Sequence, residues 1–172
     1  MSWACHQPID GSAVSRLPAL GDHGEGWVTG QVLLLAAVGV AGVLGRPAWA
    51  GSALVVSQVV GAVLAVLGVV IGVVGVRDLG ESLTPLPRPK DGAQLVETGI
   101  YGWVRHPLYV GLVLGALGWA LVSASLLALV FTLALAVFLD LKSRREEAWL
   151  REHYPLYDQY ARRVRRFVPG LY

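Results

Sequence analysis

Three stretches of the chain contain no Asp, Glu, Lys or Arg: Trp27–Gly45, Trp49–Val76 and Leu108–Leu139. Apolar runs of about 18 or more residues read as membrane spans, because a helix rising 1.5 Å per residue needs about 20 residues to cross the hydrocarbon core. A chain of 172 residues holds too little protein to bury three such runs in a soluble core. The third run is too long for one crossing, since as a single helix it would reach about 48 Å against a core of about 30 Å. Its middle reads Val122-Ser123-Ala124-Ser125, a small polar cluster suited to a tight turn. The pattern therefore predicts an all-α integral membrane protein of about four transmembrane helices. The last two form a helical hairpin, Pro107–Val122 and Ser125–Leu141, followed by a cytosolic helical tail. No strand is predicted.

The same pattern divides the chain. Residues 1–26 are expected to be a mobile or interfacial lead-in, residues 27–76 two transmembrane helices, and residues 77–172 a core of loop, hairpin (107–141) and tail. The first apolar run starts too late for a signal peptide and follows Asp10, Asp22 and Glu25 instead of a basic stretch. Gly39, Gly42 and Gly45, Gly68 and Gly72, and Gly111 and Gly115 are spaced for close helix packing, where small residues let backbones approach in lipid.

Charge supplies the orientation. Four crossings put the N-terminus, the loop Arg77–Arg105 and the tail from Lys142 on one side. That side then holds 13 of the 14 basic residues, leaving only Arg46 outside. Lys and Arg favour the cytosolic face, so the loop and tail are expected there. Charged residues make up only 15% of the chain, and the uncharged spans argue against an ion-coupled transporter, which needs ionisable groups within the membrane. Cys5 is the single cysteine, so no intrachain disulfide is available. His6 and His23 lack metal-ligand spacing, and no metal site is expected. Nucleic acid is not an expected partner either, because the basic tail already faces lipid.

Polar chemistry must then be built at the cytosolic edge, where two clusters meet. One is Gly99-Ile100-Tyr101-Gly102-Trp103-Val104-Arg105-His106-Pro107-Leu108-Tyr109. Pro107 suits the first turn of a helix, which places His106 beside a helix N-terminus favourable to anions. Tyr109 follows three residues later on roughly the same face. The other cluster is Lys142-Ser143-Arg144-Arg145-Glu146-Glu147, with Lys142 and Glu146 four apart on one helix face. Each has a plainer reading: an interfacial Trp/Tyr/Arg belt for the first, and carboxylates solvated beside arginines for the second. The hairpin returns both to one edge, where they could surround a zwitterionic, cationic ligand.

The run LVETGIYGWVRHPLYVG, followed by an apolar hairpin and then EEAWLREHYPLYDQYARRVRRFVP, resembles the integral membrane methyltransferases that include the isoprenylcysteine carboxyl methyltransferases and the phospholipid methyltransferases. The resemblance covers roughly residues 83–170. It implies S-adenosylmethionine as cofactor, held at the cytosolic edge without a soluble nucleotide-binding fold. By motif, His106, Tyr109 and Glu146 would contact the cofactor, and Gln94, Leu95, Val96 and Gly99 would offer backbone along it; by charge, Arg105 or His106 at the helix start suits its carboxylate. Glu147 would face the substrate and act as base where one is needed, with Lys142 beside it. Family members often carry arginine at the position of Lys142, and lysine offers a point charge instead of a planar fork. The acceptor would be a small lipophilic or membrane-resident molecule carrying a carboxylate oxygen, amine nitrogen or thiol sulfur. The rival reading is a non-enzymatic membrane scaffold. Its basic tail would bind anionic lipid and lay Trp149, Tyr154, Tyr157, Tyr160 and Phe167 in the interface.

Overall fold

The computed structural model describes residues 17–18, 20–22, 24–84, 86 and 94–170. Most of the lead-in lies outside these residues, as do Cys5, His6, His23, Arg16, Arg88 and Lys90. The described residues form helices α1 (Glu25–Leu44), α2 (Gly51–Leu79), α3 (Pro107–Val122), α4 (Leu126–His153) and α5 (Tyr157–Arg163), with 3-10 turns at Gly80–Ser82 and Gly99–Gly102. No strand occurs among them, only an isolated parallel bridge between Val104 and Arg165.

The apolar runs become helices although α2 is rich in valine, a mediocre helix former in water. In lipid a spanning segment must satisfy its backbone groups internally, and a helix does so. Three helices, α1, α2 and α4, are long and apolar enough to cross a membrane. α3 has 16 residues, so it rises about 24 Å and is short for a full crossing. Ser125 caps α4 by accepting a hydrogen bond from the Ala128 N–H at 3.2 Å. Ala124, at φ +51°, makes the turn between α3 and α4. The α4 helix continues past Leu141 to His153, so Lys142, Glu146 and Glu147 ride on the same rigid rod as the apolar residues below them.

The valines of α2 point outward, and its buried residues are Gly61, Gly68 and Gly75, seven apart. They pack on α3 at backbone distance. A Cβ added to Gly68 would lie 2.7 Å from the Gly111 carbonyl oxygen, and one added to Gly118 would lie 2.6 Å from the Gly61 carbonyl oxygen. This is the small-residue contact expected of lipid-embedded helices, although Gly61, Gly75 and Gly118 were not among the glycines singled out for it. Of those that were, Gly42 meets Trp119, Gly45 meets Ser125, and Gly39 faces open space. Antiparallel to α2, α3 also packs on α4 and more lightly on α1, while α1 rests along α4. The consecutive helices α1 and α2 do not pack along each other.

At one end of the bundle the two tight connections are tied together. The Ala48 N–H donates to the Ala124 carbonyl at 2.8 Å, and the Ser125 hydroxyl donates to the Ala41 carbonyl at 2.9 Å. The opposite end gathers the segment before Pro107, the end of α4, and α5.

Candidate active site

The hairpin brings His106 and the two glutamates together. His106 caps α3, with Pro107 at the first helical position, as the sequence pattern anticipates. Its ring stacks on Tyr109 with centroids 5.3 Å apart and planes 4° from parallel. The imidazole lies between the two carboxylates, Nδ1 at 3.7 Å from Glu146 and Nε2 at 3.2 Å from Glu147. The Tyr109 hydroxyl donates to Glu146. Lys142 is only 3% exposed. Its Nζ donates to the Gln31 side-chain oxygen at 2.7 Å, lies 3.9 Å from Glu146 and sits 5.2 Å from the Tyr109 ring centre. A buried ammonium needs such partners, because desolvation penalises an unpaired charge.

Adjacent in sequence, Glu146 and Glu147 point in different directions. Glu147 is 0% exposed. It accepts from Arg105 Nη2 at 2.8 Å, Arg105 Nε at 3.0 Å, Arg166 Nη2 at 2.9 Å and Arg166 Nε at 3.0 Å, and Arg151 Nη2 lies 3.5 Å away. Arg105 also donates to the carbonyls of Ala161, at 3.0 Å, and Val164. The main chain joins in: the Arg105 and His106 amides donate to the Arg165 and Arg166 carbonyls at 2.9 and 3.1 Å. Phe167 covers the His106 ring at 5.8 Å. Around Glu147 the segment before α3, the last turns of α4 and the chain beyond α5 are thus bound into one unit.

Beside this unit lies a cavity of about 1080 Å³. One end is polar, lined by Arg105, His106, Tyr109, Lys142, Glu146 and Gln31. The rest is apolar and runs between α1, α2 and α3 along Leu35, Gly68, Val69, Gly72, Leu112 and Gly115. Gln94, Leu95 and Val96 also line it, whereas Gly99 and Glu147 do not. The expectation that Glu147 faces a substrate thus meets a residue sealed away from the cavity, while Glu146 and Lys142 both border it. Among the described residues no three His, Cys, Asp or Glu side chains gather as a metal-binding group.

Residues 56–156, well over half of the chain, match the phospholipid methyltransferase family. The chain belongs to this family. It is 37% identical over 83 residues to the nickel-cobalt-cadmium resistance protein NccN of Alcaligenes xylosoxydans xylosoxydans, covering 48% of this chain and 39% of that protein. It is 32% identical over 117 residues to the protein-S-isoprenylcysteine O-methyltransferase of Saccharomyces cerevisiae, covering 66% of this chain and 49% of the relative. A probable protein-S-isoprenylcysteine O-methyltransferase of Oryza sativa subsp. indica is 33% identical over 116 residues, 65% of this chain and 61% of the rice protein. The chain spans less than two thirds of the length of each of these relatives.

Two cavity residues of this family member, Tyr101 and Gln31, received no site role from its sequence. Tyr101 is buried, donates to the Gly75 carbonyl at 3.4 Å and accepts from the Tyr160 hydroxyl at its own carbonyl at 2.7 Å. Burial, with the charges of Asp78 and Glu146, pushes its hydroxyl up to about 12, so it stays protonated at neutral pH. The Gly-x-Tyr spacing before Arg105 was the available signal. Gln31 lies on α1, beyond the motif, and nothing local marked it. Trp149, Tyr157 and Tyr160, expected in an interface by the scaffold reading, are buried within the protein.

Gly99 acts from outside the cavity. At φ +60° it lets the chain turn so that the Ile100 N–H donates to Asp78 at 2.8 Å, and a Cβ there would lie 2.1 Å from the Asp78 carboxylate. Gly99→Ala is expected to cost about 1–3 kcal/mol through strain at this φ and to displace residues 94–96 from the cavity wall. Thermal unfolding in detergent measures the cost, and an unchanged midpoint would show that the turn tolerates a side chain.

Proposed function

We propose that this chain is an S-adenosylmethionine-dependent methyltransferase whose acceptor is a small lipophilic or membrane-resident molecule. The observation carrying the proposal is the single cavity that joins a polar, charged end to an apolar groove between helices. A soluble cofactor and a lipid-borne acceptor need such a junction. The residues at the polar end fit the cofactor's groups. Glu146 offers a carboxylate to an ammonium, His106 and the start of α3 suit a carboxylate, and the Tyr109 face suits a cationic centre. The extended segment Gln94–Val96 offers backbone groups alongside. When bound, the cofactor supplies an electrophilic methyl group.

Methyl transfer demands little covalent chemistry from a protein, so these residues act by aligning the reactants and excluding water. Where the acceptor is a neutral amine or thiol, Glu146 and His106 are the cavity groups able to take its proton. Lys142, held by Gln31, places a positive charge at the boundary between polar end and groove. Glu147 serves as a positioning residue, fastening Arg105, Arg166 and His106 around the site. The acceptor reaches the groove from lipid between α1 and α2, over the surface of α3. The basic residues support four crossings with the site on the cytosolic face; residues 77–172 supply most of the cavity's polar end, while α1 and α2 contribute Gln31 and much of the groove. The scaffold reading loses support because two of the tail's basic residues, Arg151 and Arg166, pair with Glu147.

Titration of detergent-purified protein with S-adenosylhomocysteine tests the proposal. Binding is expected in the micromolar range, with His106→Ala weakening it roughly tenfold, about 1.4 kcal/mol. No heat of binding at about 1 mM ligand by folded protein would defeat the enzyme reading. Mass spectrometry of a lipid extract incubated with protein and cofactor would then identify the methylated acceptor.

A further inference from the structure

The wall of the cavity formed by α5 holds a polar group that no contact accounts for. Tyr157 is 1% exposed and lines the cavity, and its hydroxyl is buried without a hydrogen-bond partner among the described residues. The ring itself is firmly held. It packs edge-on against Tyr160 at 5.9 Å, the Arg151 guanidinium lies 5.6 Å from its centre, and Leu95, Leu150, Tyr154 and Val164 surround the pair. The α5 helix is fixed in turn by Tyr160, bonded to the Tyr101 carbonyl, and by Arg105, bonded to the Ala161 carbonyl. A rigid, buried hydroxyl left unpaired carries the full cost of its desolvation, and a phenylalanine would fill the same space without that cost. Burial first, then the Glu147 charge, raises the phenol far above its ordinary value, so the group remains a donor.

We infer that Tyr157 is a ligand-binding residue whose hydroxyl donates a hydrogen bond to an acceptor atom of the cofactor held in the cavity. The inference rests on the cofactor reading above and adds α5 to the elements that recognise it. The motif residues around His106 and Glu146 belong to other elements, so the tail contributes recognition of its own.

Tyr157→Phe in the whole 172-residue, detergent-solubilised chain tests this through two measurements: titration with S-adenosylhomocysteine, and thermal unfolding without ligand. Affinity is expected to fall about five- to tenfold, the effect of one neutral hydrogen bond. The ligand-free midpoint is expected to equal or exceed that of the unsubstituted protein, because an unpaired polar group has been removed. Equal affinity in the two proteins overturns the inference alone. A lowered ligand-free midpoint also overturns it, since the hydroxyl would then have a partner within the protein. Absence of binding by the unsubstituted protein overturns the cofactor reading itself, and this inference with it.

Discussion

Replacing Glu147 with alanine is expected to destabilise the protein by about 3–5 kcal/mol, the usual consequence of stripping the partner from buried charges. The carboxylate is wholly enclosed, and Arg105, Arg166 and His106 converge on it within 3.2 Å. Removing it takes from Arg105 and Arg166 the carboxylate they share. The chain from α5 to Phe167 would come away from the bundle, since Arg166 is one of its main fastenings. Thermal unfolding in detergent reads the loss, and limited trypsin digestion at Arg162 and Arg163 reads the release of the tail. Glu147→Gln keeps the shape but not the charge and should fall between alanine and the parent. A Glu147→Ala protein with parental stability and only reduced turnover would restore the substrate-facing role and remove the positioning one.

Gly118→Val and Gly115→Val are expected to part company although the two glycines stand less than one turn apart on α3. A Cβ at Gly118 would lie 2.6 Å from both the Ala65 amide nitrogen and the Gly61 carbonyl oxygen, which are backbone atoms that cannot move aside. The substitution must push α2 off α3, at a cost of about 1–3 kcal/mol or more for overpacking. A Cβ at Gly115 meets nothing within 4 Å and projects where the cavity lies. Gly115→Val should therefore fold normally and bind S-adenosylhomocysteine, but obstruct the acceptor and lower product formation roughly tenfold or more. Unfolding midpoints and mass-spectrometric product yields separate the two outcomes. Equal behaviour of both variants would show that the groove beside Gly115 takes no acceptor.

These contrasts show where the sequence was informative. The hairpin was legible because Leu108–Leu139 is too long for one crossing and has a single small polar break, which becomes the turn at Ala124. Once the hairpin is placed, Pro107 and Lys142 must return to the same end, and His106 meets Glu146 and Glu147 as a geometric consequence. The different surroundings of the two glutamates were not legible. Neighbouring helical residues point about 100° apart, and here the rotation is fixed by Arg166, nineteen positions later in the chain. The glycine seam was legible only in part, since Gly68 and Gly111 carry a spacing of four to their neighbours while the contact itself repeats every seven. Gln31 could not be found at all, because its partnership with Lys142 spans 111 positions.

The bonds from Arg105 and His106 to Arg165 and Arg166 have a consequence for biogenesis. The membrane helices can insert in order as they leave the ribosome, yet the histidine segment lacks its backbone partners until translation has passed Arg166. A nascent chain halted anywhere between α4 and that point would be fully inserted and still unable to shape its pocket. Insertion and competence are thus separate events in the life of this protein, the second waiting on residues made after the last membrane helix.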